Sequence, residues 1–165
     1  LAKKYGLKIS FDPNIRRKLW GDRDYSPMIR TLCGGSHILL MGRDEAGVLY
    51  GMTEPEALFQ RIFSEDNEVE TVVVKDGANG AWAANRAETV FLKPEPCRCV
   101  DPVGAGDAFN AAFLAGVLEG QSLVDCGRMG AVAGAMATET DGDTEWYPDR
   151  RKLESVLNNR EEFYR

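Results

Sequence analysis

With 165 residues, 44% of them hydrophobic and 28% charged, the chain is long enough to bury a real core and has the composition of an ordinary globular domain. Its net charge of −6 excludes a general nucleic-acid surface, which would want a basic patch, but not an anionic substrate held by a local arginine cluster. No apolar run reaches membrane-spanning length and no secretory signal is visible, so no membrane partner is expected. The four cysteines, Cys33, Cys97, Cys99 and Cys126, read as reduced thiols of a cytoplasmic protein. The Cys97-x-Cys99 pair is too isolated for a zinc site.

The chain opens on LAKKYGLKIS, which reads as the end of a helix running into a strand. That is the middle of an α/β unit, and the expectation is a fragment of a longer protein. LKISFDPN (7 to 14) is a short apolar strand closing on the loop signal Asp12-Pro13-Asn14. RRKLW follows, with Arg16, Arg17 and Lys18 crowded together. In SPMIRTLC, Ser26 suits a helix cap and Pro27 the first helical position. SHILLM (36 to 41) is a second buried strand, and RDEAGVLYG a short helix ended by Gly51. TEPEALFQRIF is a clear helix, with Thr53 and Glu56 at capping-box spacing.

ETVVVK (70 to 75) is the strongest strand, because three consecutive valines suit a strand covered on both faces. DGANG (76 to 80) is a tight turn, and AWAA begins a return strand. ETVFL and CRCV are weaker strand candidates. A helical pattern runs from Ala105 to Leu118, a second helix rich in Gly and Ala spans 122 to 140, and 148 to 158 forms a terminal amphipathic helix. The small residues of the second helix imply close packing against its predecessor or a nucleotide. Strands alternating with helices argue for one α/β domain with a mainly parallel sheet and helices on both faces.

In DPVGAGDAFN (101 to 110) a strand end meets Gly104, Ala105 and Gly106 and then a helix. Bare backbone lets a phosphate approach, and the free amides and dipole of a helix start favour negative charge. Asp107 beside them would repel a phosphate unless it has a task. One task is to act as general base for a hydroxyl attacking a γ-phosphoryl group; the alternative is a plain cap over a plain turn. A Rossmann fingerprint fails because Phe109 stands where the third glycine is needed, and no P-loop exists in the chain. A methyltransferase-like loop has similar texture, but a second helix follows where a strand ending in an acid would be required.

DPVGAGDAFNAAFLAG resembles the signature D-T-x-G-A-G-D of the ribokinase-like (PfkB) carbohydrate kinases. VVVKDGANGAW resembles that family's nucleotide segment, and HILLMGRDEAGVLYG the unit that carries its N-x-x-E motif. FDPNIRRKLW resembles a segment of 2-keto-3-deoxygluconate kinases and of some fructokinases. The likeness covers nearly the whole chain, in the family's order.

The resemblance implies a ribokinase-like α/β fold and ATP-dependent phosphorylation of a primary hydroxyl. The expected acceptor is 2-keto-3-deoxygluconate, with fructose as the alternative. Asp107 matches the family's catalytic base, and Gly104, Ala105 and Gly106 its anion hole. Lys75, Gly77, Gly80 and Asn14 match nucleotide-binding positions, and Arg16 a substrate position where its planar fork would hold a carboxylate or phosphate. Glu45 matches the acid that organises Mg²⁺ through water. Two departures stand out: Gly42 replaces the asparagine of N-x-x-E, and Pro102 replaces the usual threonine, fixing the approach to the glycine turn.

Family members are about twice as long, and their N-terminal half carries most sugar contacts and the lid. The chain by itself is therefore expected to have little or no activity, because nothing closes its site against water. The resemblance leaves room for a homo-oligomer of the complete protein, since family members often pair through the lid. From other classes, a methyltransferase and a remnant that only binds nucleotide remain as alternatives.

Overall fold

The computed structural model describes residues 1–65, 67–142, 144 and 146–163. The chain divides into two compact units, one formed by Leu1–Asp76 with Trp82–Val90, the other by Gly77–Ala81 with Phe91–Arg165. Its elements run α1 (Ala2–Tyr5), β1 (Ser10–Phe11), a 3₁₀ turn (Arg17–Leu19), α2 (Ser26–Gly34), β2 (Ile38–Gly42), α3 (Arg43–Tyr50) and α4 (Pro55–Ser64). Then come β3 (Thr71–Lys75), a second 3₁₀ turn (Gly77–Asn79), β4 (Ala81–Asn85), β5 (Thr89–Leu92), α5 (Ala105–Leu118), α6 (Leu123–Ala137) and α7 (Arg150–Phe163).

The five strands form one sheet in the order β1-β2-β3-β4-β5. β1 pairs parallel with β2, and β2 parallel with β3, from Ile38 opposite Thr71 to Gly42 opposite Lys75. Residues 76–80 connect β3 to β4, too few for a parallel crossover, so the sheet is mixed. The expected α/β class with a helix-flanked sheet is what the chain adopts.

The valine run behaves as its pattern predicts. Val72, Val73 and Val74 are all fully buried, and each such burial contributes about 1.5–3 kcal/mol. In the first unit Val72 and Val74 join Leu39 and Met41 in a core closed by Leu49, Leu58, Phe59 and Ile62. Cys33 belongs to the same core, where burial pushes its thiol up to about 11, far from reactivity. All four cysteines are free. No helix among the described residues is long and apolar enough to cross a membrane.

Three local expectations are corrected. Neither Ser26 nor Thr53 is a cap: α2 is capped by Tyr25 and α4 by Glu54, with Pro27 and Pro55 in their first turns. The Ser26 amide instead donates to Asp24 Oδ1 at 2.9 Å, a bond that also holds the Asp24 carboxyl below its ordinary value. The Thr53 methyl lies over Gly47, 3.2 Å from where a Cβ would stand there. The strand expected ahead of the Asp12-Pro13-Asn14 loop is confined to Ser10–Phe11, while the loop begins where the sequence places it, with Asn14 at φ 43°. CRCV forms no strand, since Val100 and Asp101 give their amides to the Thr138 carbonyl, at 2.7 and 3.1 Å.

In the second unit α5 packs on α6, and the small residues of α6 allow the approach. A Cβ at Gly130 would stand 3.0 Å from the Phe109 ring, and one at Gly134 3.1 Å from the Ala105 carbonyl oxygen. Of the two readings of that glycine- and alanine-rich helix, packing against its predecessor is the one observed.

Candidate active site

The sequence-predicted residues fall into two groups, one in each unit, with Gly77 and Gly80 belonging to the second. In the first unit the C-terminal ends of three parallel strands lie side by side. Open α/β sheets place ligands at such an edge.

β1 ends in Phe11, and Asp12 then organises the loop. Its Oδ1 accepts the Asn14 amide at 3.1 Å, an Asx turn that supports the left-handed backbone of Asn14. Its Oδ2 accepts Lys75 Nζ, from the end of β3, at 2.8 Å. Lys75 is therefore neither a solvated strand end nor a loose cation, being 17% exposed against 24% for Asp12.

Glu45 joins the same edge from the first turn of α3. Its Oε2 accepts the Gly42 amide at 2.7 Å, and its Oε1 accepts the Ile15 amide at 2.6 Å. The side chain thus ties the loop after β1 to the end of β2, and is not a plain surface glutamate. Gly42 contributes only its amide here; a Cβ would stand 3.4 Å from Glu45 Oε2. Beside it Arg43 donates to Asp76 at 2.9 Å and to Glu54 at 3.1 Å. Arg16 is exposed at the head of the first 3₁₀ turn and forms no ion pair with another described residue.

In the sequence Asp12 and Asp76 read only as parts of turns and Arg43 only as part of a helix, and none of them as an ion-pair partner, although Asp12 organises the loop after β1. Replacing Asp12 with Ala removes the acceptor of the Asn14 turn and leaves Lys75 without its carboxylate. The expected loss is about 2 kcal/mol, since bonds to charged groups contribute about 1.5–3 kcal/mol, and urea unfolding reads it directly.

In the second unit the path into α5 is held at each step. Val100 and Asp101 hang on Thr138, and Asp101 Oδ1 accepts the Val103 amide at 3.0 Å. Gly104 is the helix cap, at φ 78° and ψ −14°, a left-handed conformation that glycine adopts without strain. Its carbonyl accepts the Ala108 amide at 2.9 Å and the Tyr147 hydroxyl at 2.9 Å. Behind it Gly134 lies against the Ala105 carbonyl.

Asp107 is the third residue of α5, the cap position being Gly104's, and its side chain forms no hydrogen bond with another described residue. Ala108, Phe109, Asn110 and Ala112 are buried, so the exposed Asp107 stands on the opposite face with Ala111. The reading of Asp107 as a plain cap therefore fails. In the first turn the amides of Gly106 and Asp107 have no partner within the helix. An anion at this helix start would meet those donors and the positive end of the dipole, with a carboxylate beside them.

Gly77 and Gly80 have conformational reasons to be glycine, at φ 53° and 97°. A Cβ on Gly80 would also stand 2.4 Å from the Leu92 carbonyl oxygen. Among the described residues no group of three or more His, Cys, Asp or Glu is placed to hold a metal ion. A hollow of about 420 Å³ in the first unit, lined by Phe59, Phe63 and Arg86 among others, touches none of the predicted residues.

Known proteins resemble this chain along most of its length. Residues 1–150 match the profile of the pfkB family carbohydrate kinases. A 2-dehydro-3-deoxygluconokinase of Bacillus subtilis (strain 168) is 35% identical, over 93% of this chain and 47% of that protein. A 5-dehydro-2-deoxygluconokinase of Clostridium perfringens is 28% identical, over 99% of this chain and 50% of that protein. Among solved structures, a candidate ribokinase II from E. coli in complex with ATP and Mg²⁺ superposes with a TM-score of 0.83 at 27% identity, covering 95% of this chain and 50% of that one. The chain spans about half the length of the curated relatives it matches.

Proposed function

The chain belongs to the pfkB family of carbohydrate kinases, and on that premise we propose that its protein phosphorylates the primary hydroxyl of a sugar acid with ATP. The acceptor is 2-dehydro-3-deoxygluconate, the 2-keto-3-deoxygluconate of the FDPNIRRKLW resemblance. A methyltransferase is set aside by the family match.

The observation that carries the proposal is the start of α5. A carboxylate with no capping task stands on the exposed face of a helix whose first-turn amides are open to an anion. Asp107 takes the proton of the attacking hydroxyl, and the amides around Gly104, Ala105 and Gly106 donate to the oxygens of the transferring phosphoryl group, stabilising the charge that develops there. Gly80 and Gly77 would shape the nucleotide loop, and Asn14 and Lys75 are assigned to nucleotide binding by the family resemblance. Arg16 pairs with the acceptor's carboxylate, which its planar fork suits.

Mg²⁺ fits as an ion carried by the nucleotide, in keeping with its preference for phosphate oxygens and water. Glu45 already accepts two backbone amides, and its remaining lone pairs would accept from water on that ion. The ion supplies neutralisation of phosphate charge. The relative bound to ATP and Mg²⁺ supports this pairing of cofactors.

The test is ADP formation by the protein expressed from its complete reading frame, with three acceptors: 2-dehydro-3-deoxygluconate, 5-dehydro-2-deoxygluconate and fructose. We expect the highest kcat/KM on the first. A preference of more than about ten-fold for either of the others would reassign the substrate. The 165 residues by themselves are expected to turn over none of the three at a comparable rate, and a comparable rate would refute that part.

A further inference from the structure

The Gly104–Ala105 peptide opens the anion-binding turn, and what sets its orientation lies far away in sequence. A peptide unit is planar and trans, so its C=O and N–H point in opposite directions. Glycine at 104 gives that unit little steric restraint of its own, because left- and right-handed conformations are nearly equal in energy for it. Something else must hold it.

The N–H side is held loosely, with Ala105 N 3.4 Å from the Pro102 carbonyl, long for an N–H···O bond. The carbonyl side is held firmly. Gly104 O accepts the Ala108 amide at 2.9 Å and the Tyr147 hydroxyl at 2.9 Å, which uses both of its lone pairs. The helix bond from Ala108 is common to any α-helix start. The bond from Tyr147 comes from 43 residues further along the chain.

Tyr147 is itself well placed to act as a fixed point. It packs against the buried cluster of Ala108, Ala112, Met129, Ala133 and Leu153. Its amide donates to Thr144 O at 3.2 Å, and Pro148 after it restricts its backbone. Two residues beyond Pro148, α7 begins at Arg150, which grips Glu119 just past the end of α5 through two guanidinium nitrogens. The ring is thus fixed by packing against residues of α5, α6 and α7, which keeps the hydroxyl on the Gly104 carbonyl.

We propose that Tyr147 is a positioning residue for phosphoryl transfer, aiming the Ala105 amide by holding the other end of its peptide unit. The proposal rests on the kinase reading, with α5 receiving the transferring group. Removing the hydroxyl leaves the ring in its packing and the Ala108 bond as the carbonyl's one remaining restraint, so the peptide loosens and the amide is less well aimed where charge develops.

The experiment is Tyr147→Phe in the complete protein, with steady-state kinetics, a thermal melt, and the ¹H–¹⁵N resonances of Ala105 and Gly106. We expect kcat to fall about ten-fold, less than loss of an anion-hole donor outright, with the KM for ATP within about two-fold of wild type. The Ala105 resonance should move more than those of residues outside the turn. A purely structural tyrosine would lower the melting temperature and leave kcat below that temperature unchanged, and that result overturns the proposal. So does an Ala105 resonance that stays in place. If the wild-type enzyme phosphorylates no sugar, the kinase reading fails, and the Ala105 resonance alone then decides whether Tyr147 sets the turn.

Discussion

Asp107→Asn in the complete protein is expected to lower kcat by about 10³-fold while leaving the affinity for ATP within about two-fold. General-base catalysis contributes roughly 10²–10⁴ in rate, and an amide cannot take the proton of the attacking hydroxyl. Nothing structural should mask the effect. Asp107 is exposed on α5 and makes no cap bond, so the helix keeps its start without the charge. The carboxylate's interaction with the helix dipole is lost, a cost of about 0.3–1 kcal/mol that a thermal melt would register as small. Since the change removes an interaction made only in the transition state, kcat and kcat/KM should fall together. Retained turnover would mean that another group takes the proton, and a large loss of ATP affinity would mean that Asp107 serves binding.

Gly80→Ala carries the largest stability effect we expect. Two costs add at this position. The residue sits at φ 97°, where a side chain is strained by about 1–2 kcal/mol. The added Cβ also stands 2.4 Å from the Leu92 carbonyl oxygen and 3.1 Å from Phe91 and Pro94. Backbone cannot rotate away as a side chain can, and overpacking of this kind costs about 1–3 kcal/mol. The sum is about 3 kcal/mol, or roughly 10 °C in Tm for a chain of this size. Urea and thermal unfolding would read it. A change below about 0.5 kcal/mol, typical of a surface position, would show that the turn relaxes and that Gly80 is present for another reason, such as close approach of a nucleotide.

The parts of this fold that were legible in the sequence are those whose cause is local. Three adjacent valines made β3 plain. Gly51 closed α3 as its position predicts, with a left-handed backbone at φ 71°. The turn Gly104 to Gly106 and the helix after it could be read from DPVGAGDAFN alone. The errors came where two local signals competed. Thr53 and Glu56 have capping-box spacing, but Pro55 suits the first turn, and the cap passed to Glu54. Cys97 to Val100 alternates weakly like a strand, yet the Val100 amide, with that of Asp101 after it, finds the Thr138 carbonyl, a partner no periodicity announces.

The candidate site divides in the same way. Asp107 and its glycines stand together in sequence, so a motif could present them with a chemical reason. Asp12 was legible as part of a turn but not as a partner of Lys75, which lies 63 residues away and meets it only once β1 and β3 flank β2. Glu45 was read as a glutamate near a metal, while its bond to the Ile15 amide needed the strand ends in register. Tyr147 is separated from Gly104 by 43 residues and belongs to no motif. Each of these residues acts through a contact that tertiary folding creates.

The central claim is transfer of the γ-phosphoryl group to a primary hydroxyl, and ³¹P NMR of one reaction tests it most directly. The complete protein, Mg²⁺, ATP and 2-dehydro-3-deoxygluconate should yield ADP and an equal amount of one phosphomonoester, its resonance coupled to the protons of the terminal methylene. Inorganic phosphate as the only product, or ATP left intact beside the untouched sugar acid, would contradict the account.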